Sequence, residues 1–158
     1  VLRGDFGGIE VGEGANIQEN CVVHMFPGVT VRIHPSAHIG HGAIIHGAEI
    51  GENSLIGMGA VLMDDVYVGK ESIVGALSFL PAKFQVPDRK VVVGNPAKII
   101  KDVSDQMIAW KTEGTAIYQA LPQACHNSMH PVQPLRSKPD HWEPPTGNYA
   151  LWADTKSK

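Results

Sequence analysis

Ile50-Gly51-Glu52-Asn53-Ser54-Leu55-Ile56-Gly57-Met58-Gly59-Ala60-Val61-Leu62 places an aliphatic residue at every sixth position, and Val68, Val74 and Leu80 continue the beat. A small residue often follows, as in Ile50-Gly51, Ile56-Gly57, Val68-Gly69 and Val74-Gly75. Upstream the same hexads start at Val11, Ile17 and Val23, then at Ile33, Ile39 and Ile45. This is the signature of a parallel β-helix, in which each hexad makes one short strand and one turn. Three hexads close a triangular coil, so every inward aliphatic stacks on its equivalent about 4.8 Å away in the next coil. A β-sandwich would show period two and longer turn spacing.

Three interruptions break the beat. Val23 to Ile33 is four residues too long, so a loop within Met25 to Arg32 bulges out around Pro27-Gly28. Ile45 to Ile50 is one residue short, at His46, and the register slips near Gly7-Gly8. Such departures from an otherwise consistent pattern mark functional positions. The predicted organisation is a β-helix over residues 1–100, a helical segment over 101–130 and an extended Pro-rich tail over 131–158. Pro81 and Pro87 are expected to flank an irregular last coil, and Val93 to Lys98 to form the turn that ends the solenoid. Asp102 or Ser104 can cap the helix. Met107, Ile108, Ile117, Tyr118 and Leu121 would give it an apolar face, with a break or kink at Gly114. It would cover the open end of the solenoid or pack along its side. Val1-Leu2-Arg3-Gly4-Asp5 reads as the middle of a repeat, so further coils are expected ahead of Val1.

A net charge of −3 without a basic block argues against a nucleic-acid partner. No apolar run approaches the roughly 18 residues of a membrane span. Cys21 and Cys125 form no disulfide framework, which suits a reducing cytoplasm.

Histidines stand out because a strand repeat needs none for stability. His24 and His46 each follow the inward aliphatic of a hexad, and their separation of 22 residues, less the four-residue loop, is one coil. They should stack on one face about 5 Å apart, close enough to share an ion at Zn–N distances of about 2.0–2.1 Å. His41 lies across a corner and faces elsewhere. In a trimer of prisms, His41 of one subunit would complete its neighbour's site and leave a coordination position for water. The partner implied is a second and third copy of this chain. Arg3 and Asp5 can form an ion pair that fixes subunit register, or an exposed pair worth under about 1 kcal/mol. Gln18 can orient the metal water; for Gln18 and Asn16 a turn-capping role is the equal alternative. No role is assigned to His34, His38, His126, His130 or His141.

Leu2-Arg3-Gly4-Asp5, Asn16-Ile17-Gln18-Glu19, Val23-His24, Gly40-His41, Ile45-His46-Gly47 and Leu55-Ile56-Gly57-Met58-Gly59-Ala60 together resemble the γ-class carbonic anhydrase superfamily, trimeric left-handed β-helices of hexapeptide repeats. With Val93-Gly94-Asn95-Pro96-Ala97-Lys98 and Trp110-Lys111-Thr112-Glu113-Gly114-Thr115 included, the chain is most similar to the PaaY/CaiE branch. The resemblance implies Zn²⁺, with Fe²⁺ or Co²⁺ able to substitute, held between subunits by His24, His41 and His46. It also implies an Arg3–Asp5 pair across that interface, and Gln18 on the metal water. Phe6 stands where the archetype has a glutamate, and Met25 to Arg32 contain no acid to shuttle protons. Met25, Phe26 and Pro27 would instead form an apolar rim.

The function implied is metal-dependent hydrolysis, most concretely an acyl-CoA thioesterase of phenylacetate catabolism that uses metal-bound hydroxide, with Glu19 managing protons. CO₂ hydration is the alternative with the same nucleophile. A CoA-dependent acyltransferase with a histidine base and no metal is a third reading, and a non-catalytic trimeric module a fourth.

Overall fold

The computed structural model describes residues 1–137, 139–141 and 150–157; Pro144 and Pro145 of the expected tail lie outside them. It is a parallel β-helix of the left-handed class. Face one stacks Gly8–Val11, Thr30–Ile33, Glu49–Ile50, Tyr67–Val68 and Gln85–Val86. Face two stacks Asn16–Ile17, His38–Ile39, Leu55–Ile56, Ile73–Val74 and Lys90–Gly94, and Ala97–Asp102 adds an antiparallel edge strand. Face three stacks Val22–His24, Ile44–His46, Val61–Leu62 and Phe79–Leu80, and Leu2 bridges Val23 in parallel.

The hexad aliphatics form the core. Ile33, Ile50, Val68 and Val86 line face one, Ile39, Ile56, Val74 and Val92 face two, and Val23, Ile45, Leu62 and Leu80 face three, all fully buried. Each contributes roughly 1.5–3 kcal/mol by burial. The small residue after the aliphatic has a steric cause. A Cβ on Gly57 would lie 2.4 Å from the Ala76 nitrogen in the next coil. Gly57→Ala is therefore expected to destabilise the fold by about 2–3 kcal/mol through overpacking against backbone, read as a lower denaturation midpoint with an unchanged m-value.

The last coil is regular, contrary to expectation: Gln85–Val86 and Lys90–Gly94 pair in register with the coil before. The prolines do not disturb it, for a simple reason. Gly69 N–H bonds the Val86 carbonyl, and Met63 N–H the Leu80 carbonyl, each reaching into the next coil. Pro87 and Pro81 follow Val86 and Leu80 on the final coil, where an N–H would have no following coil to bond.

Helix α1 (Asp105–Ser128) follows the hairpin that Ala97–Asp102 completes, and starts at the later of the two expected caps. Ser104 is the cap, its hydroxyl accepting from Met107 N–H at 3.3 Å. From Asp105 to Gln119 the helix runs along the solenoid's side, over the corner between faces one and two. Arg89 pairs with Asp105, Lys111 Nζ donates to Ser36 O and Asn53 Oδ1, both at 2.7 Å, and Gln119 donates to Gly14 O at 2.9 Å. Fourteen helical residues rise about 21 Å, which matches four coil steps of about 4.8 Å. Of the expected apolar stripe Met107 is buried and Ile108 and Tyr118 are half-buried, whereas Ile117 and Leu121 are half exposed; Lys111, Gly114 and Thr115 complete the buried face. Gly114 does not break the helix: it sits on that buried face, where the propensity loss of about 1 kcal/mol is offset by packing. Residues Val1–Gln119 form one compact unit and Ala120–Lys158 another, the latter with a 3₁₀ turn at Trp152–Ser157 in place of a wholly extended tail. Among the described residues no helix is long and apolar enough to cross a membrane.

Candidate metal centre

Arg3, His24 and His46 follow the inward residues Leu2, Val23 and Ile45, so all three occupy one outward column at the edge of face three. His24 and His46 are register partners, as the one-coil spacing predicts, with ring centroids 5.3 Å apart. Asp5 curls back onto the column, its Oδ1 3.0 Å from His24 Nε2 and its Oδ2 3.4 Å from Arg3 Nη1. Within one protomer the Arg3–Asp5 pair is exposed. Desolvation acts to raise the Asp5 carboxyl, but the His24 hydrogen bond and the Arg3 charge outweigh it and hold the group below the usual value.

The Asp64 carboxylate lies 2.8 Å from His46 Nδ1. Sequence reasoning missed it, although Asp64 stands one coil of eighteen residues after His46. Gly47 makes room for it: with φ at 61°, a Cβ there would meet Asp64 Oδ1 at 2.6 Å. Phe6 lies 5.5 Å from the His24 ring and Phe26 4.9 Å from that of His46, and both phenylalanines are more than half exposed. They form the apolar rim. Met25 does not, because it points into the core and is fully buried.

His41 sits at the opposite edge of face three, on the corner shared with face two. Gly42 N–H bonds the Glu19 carbonyl, and Gly59 N–H the His41 carbonyl, so Glu19, His41 and Met58 stack there. Glu19 Oε2 is 2.8 Å from His41 Nδ1. Gln18 Oε1 accepts the His41 backbone N–H at 3.1 Å, and its amide nitrogen meets His38 Nε2 at 2.7 Å and Asn16 Oδ1 at 3.4 Å. Within the protomer the Gln18 amide is thus engaged as a turn-capping group. Because the two edges are a face apart, the described residues of one protomer contain no cluster of three metal-ligating side chains.

His38, given no role from sequence, is packed between Gln18, Asn16, Thr115 and the edge of the Tyr118 ring. Burial, with the positive charges of Lys111 and His41, pushes its imidazole down to about 4. The unfolded chain protonates this residue near 6.5, so its contribution to stability is complete above that pH and is lost as pH falls toward 4. We expect wild type to lose roughly 2 kcal/mol more than His38→Gln across that window, after allowance for solvent screening, measured by urea denaturation at pH 7 and pH 4.5.

The donor set fits a divalent ion. Each of His24, His41 and His46 has one ring nitrogen on a carboxylate, from Asp5, Glu19 and Asp64 respectively, and its other nitrogen makes no hydrogen bond among the described residues. Such carboxylates orient metal-ligating imidazoles and raise their basicity.

Residues 47–82 match the bacterial transferase hexapeptide (six repeats) family. The carnitine operon protein CaiE of Escherichia coli O7:K1 (strain IAI39 / ExPEC) is 45% identical over 135 residues, 85% of this chain and 69% of that protein. The chain belongs to the CaiE family. This bears out the resemblance to the CaiE branch of the γ-carbonic anhydrase-like hexapeptide-repeat proteins. Among solved structures, a hexapeptide transferase family protein from Anaplasma phagocytophilum superposes on this CaiE-family chain with a TM-score of 0.74 at 35% identity, covering 78% of this chain and 72% of that one. A hexapeptide-repeat acetyltransferase from Vibrio cholerae O1 biovar eltor, solved with acetyl coenzyme A, gives 0.56 at 25% identity and 66% coverage of each chain.

Proposed function

We propose that the chain is a homotrimeric metal-dependent hydrolase of acyl-CoA thioesters, with its sites between subunits. One observation carries the reading: the two halves of a three-histidine set lie on opposite edges of one apolar face. His24 and His46 hold one edge and His41 the other. Between them the outward residues Val22, Ile44, Val61 and Phe79 align in register. A head-to-tail contact across this face joins unlike edges, and a triangular prism closes such contacts after three copies.

In the assembled interface His24, His46 and the partner copy's equivalent of His41 would hold Zn²⁺, with Fe²⁺ or Co²⁺ as substitutes. A bound divalent ion lowers the pKa of a coordinated water toward 7 and polarises a carbonyl oxygen. The chain's own groups do the rest. Asp64 and Glu19 fix the tautomer and direction of His46 and His41. Asp5, ionised, accepts a hydrogen bond from His24. Phe6 and Phe26 exclude water on one side and offer flat apolar surface to an acyl group, which favours an aromatic acid such as phenylacetyl over CO₂. The acid-free loop Met25 to Arg32 also favours the thioester, because fast hydration of CO₂ needs a proton path.

The test is a panel of phenylacetyl-CoA, a carnitine-derived acyl-CoA and CO₂, assayed on zinc-loaded protein. Thioester hydrolysis that dies with EDTA and returns with Zn²⁺ supports the reading; hydration of CO₂ alone overturns the substrate. Asp64→Asn should weaken zinc binding about 10–100-fold, measured with a competing chelator. The His41–Glu19 pair favours a second reading. A carboxylate-oriented imidazole at an exposed corner is a general base, and the Vibrio cholerae structure shows this fold with acetyl coenzyme A. Activity that survives EDTA and needs an acceptor amine would select acyl transfer.

A further inference from the structure

Gln18 has only one orientation that satisfies its neighbours, and that orientation dictates the hydrogens of a chain reaching helix α1. The His41 backbone N–H can only donate, so the Gln18 oxygen faces it, at 3.1 Å. The Gln18 NH₂ therefore points at His38 Nε2, at 2.7 Å, and that nitrogen must present a lone pair. The hydrogen of neutral His38 then resides on Nδ1, which faces the Thr115 hydroxyl at 3.4 Å; the Asn16 Nδ2, 3.2 Å from the same nitrogen, is also a donor, so this pattern requires the Asn16 amide to turn its oxygen to the ring and give up its 3.4 Å contact with the Gln18 amide. Thr115 in turn donates its hydroxyl hydrogen to the Lys111 carbonyl at 3.2 Å. Every donor in the series points the same way, from the His41 corner to the helix, and such chains polarise and strengthen one another.

We propose that His38 is a positioning residue that, clamped by Thr115 of helix α1, locks the Gln18 amide and through it the backbone that aims His41. The proposal rests on His41 as a site residue only for its consequence; the relay itself is a property of the protomer. Its surroundings agree with it. The Gln18 side chain is almost wholly buried, so an amide turned by 180° would set two donors against each other out of reach of water. Lys111 is buried beside the same corner, with its ammonium on Ser36 O and Asn53 Oδ1, so the helix is pinned where Thr115 must stand. The depressed imidazole pKa favours the neutral ring that the pattern requires.

The test is amide hydrogen exchange on the full chain without added metal, comparing wild type, His38→Leu and His38→Gln. Leucine fills the space but removes the acceptor for Gln18; glutamine can present an oxygen in its place. We expect the His41 amide to exchange at least about tenfold faster in His38→Leu, with Ile39 and Ile45 unchanged, and to recover in His38→Gln. Equal acceleration at all three amides would reduce His38 to a packing residue and overturn the proposal, as would an unchanged His41. If His38→Leu fails to fold, Thr115→Val removes the next link and must speed the same amide selectively. Zinc titration of the same variants separates the two readings. Selective exchange without any zinc binding would leave the relay standing while removing the metal site.

Discussion

Ile44→Asp should convert the proposed trimer to monomers and, in the same step, cost more than about 100-fold in zinc affinity at the proposed site. The outward side chains of face three are apolar, with Val22 38% and Ile44 41% exposed in the isolated chain. Those on face one, by contrast, are polar, among them Glu10, Thr30, Arg32, Glu49 and Gln85. A carboxylate at the centre of a buried apolar face costs several kcal/mol unless it is paired, and a closed ring repeats that cost at each contact. Sedimentation should move from the mass of three chains to that of one. The inward neighbour Ile45 is untouched, so the denaturation midpoint of the coil should change little. Tyr67→Asp, on face one, is the control and should leave assembly intact. A variant that stays trimeric, or a monomer that binds zinc as tightly as wild type, would refute the shared site.

The second large effect comes from mixing two defective proteins. His41→Ala and His46→Ala should each bind no zinc at the site, and neither should hydrolyse substrate. Unfolded together in equal amounts and refolded, they form mixed trimers. A site is whole only where a chain with intact His24 and His46 meets a neighbour with intact His41, which occurs at about one contact in four for random assembly. Zinc stoichiometry and activity should both return to about a quarter of wild type. A site contained in one protomer predicts no recovery at all. Recovery requires geometry that a lone chain lacks, because its His41 sits at the far edge of the face.

Much of this was legible in residue spacing. The hexads from Val11 to Leu80 reported the three faces, and the one-coil offset of His24 and His46 reported their stacking, because a solenoid converts sequence distance directly into height. The same arithmetic would have exposed Asp64, one coil beyond His46. The offset of His41 announced a different edge. Less legible was whatever depends on the ends of the ladder. Pro81 and Pro87 look disruptive in isolation and are harmless only because no following coil needs their hydrogens.

Helix α1 was visible as a helix, but its mate was not. Its buried face carries Lys111, Gly114 and Thr115, and only the corner of Ser36, Asn53 and His38 explains why polar groups lie inward there. By itself the sequence determined the repeat, the handling of each coil's interior and the stacked histidine pair, since these follow from local periodicity and a fixed step per coil. Tertiary structure alone decided which carboxylate each imidazole received, where Gln18 turned its amide and why His38 is buried. Those outcomes depend on side chains from distant coils and from the helix meeting in three dimensions, and no spacing rule encodes such meetings.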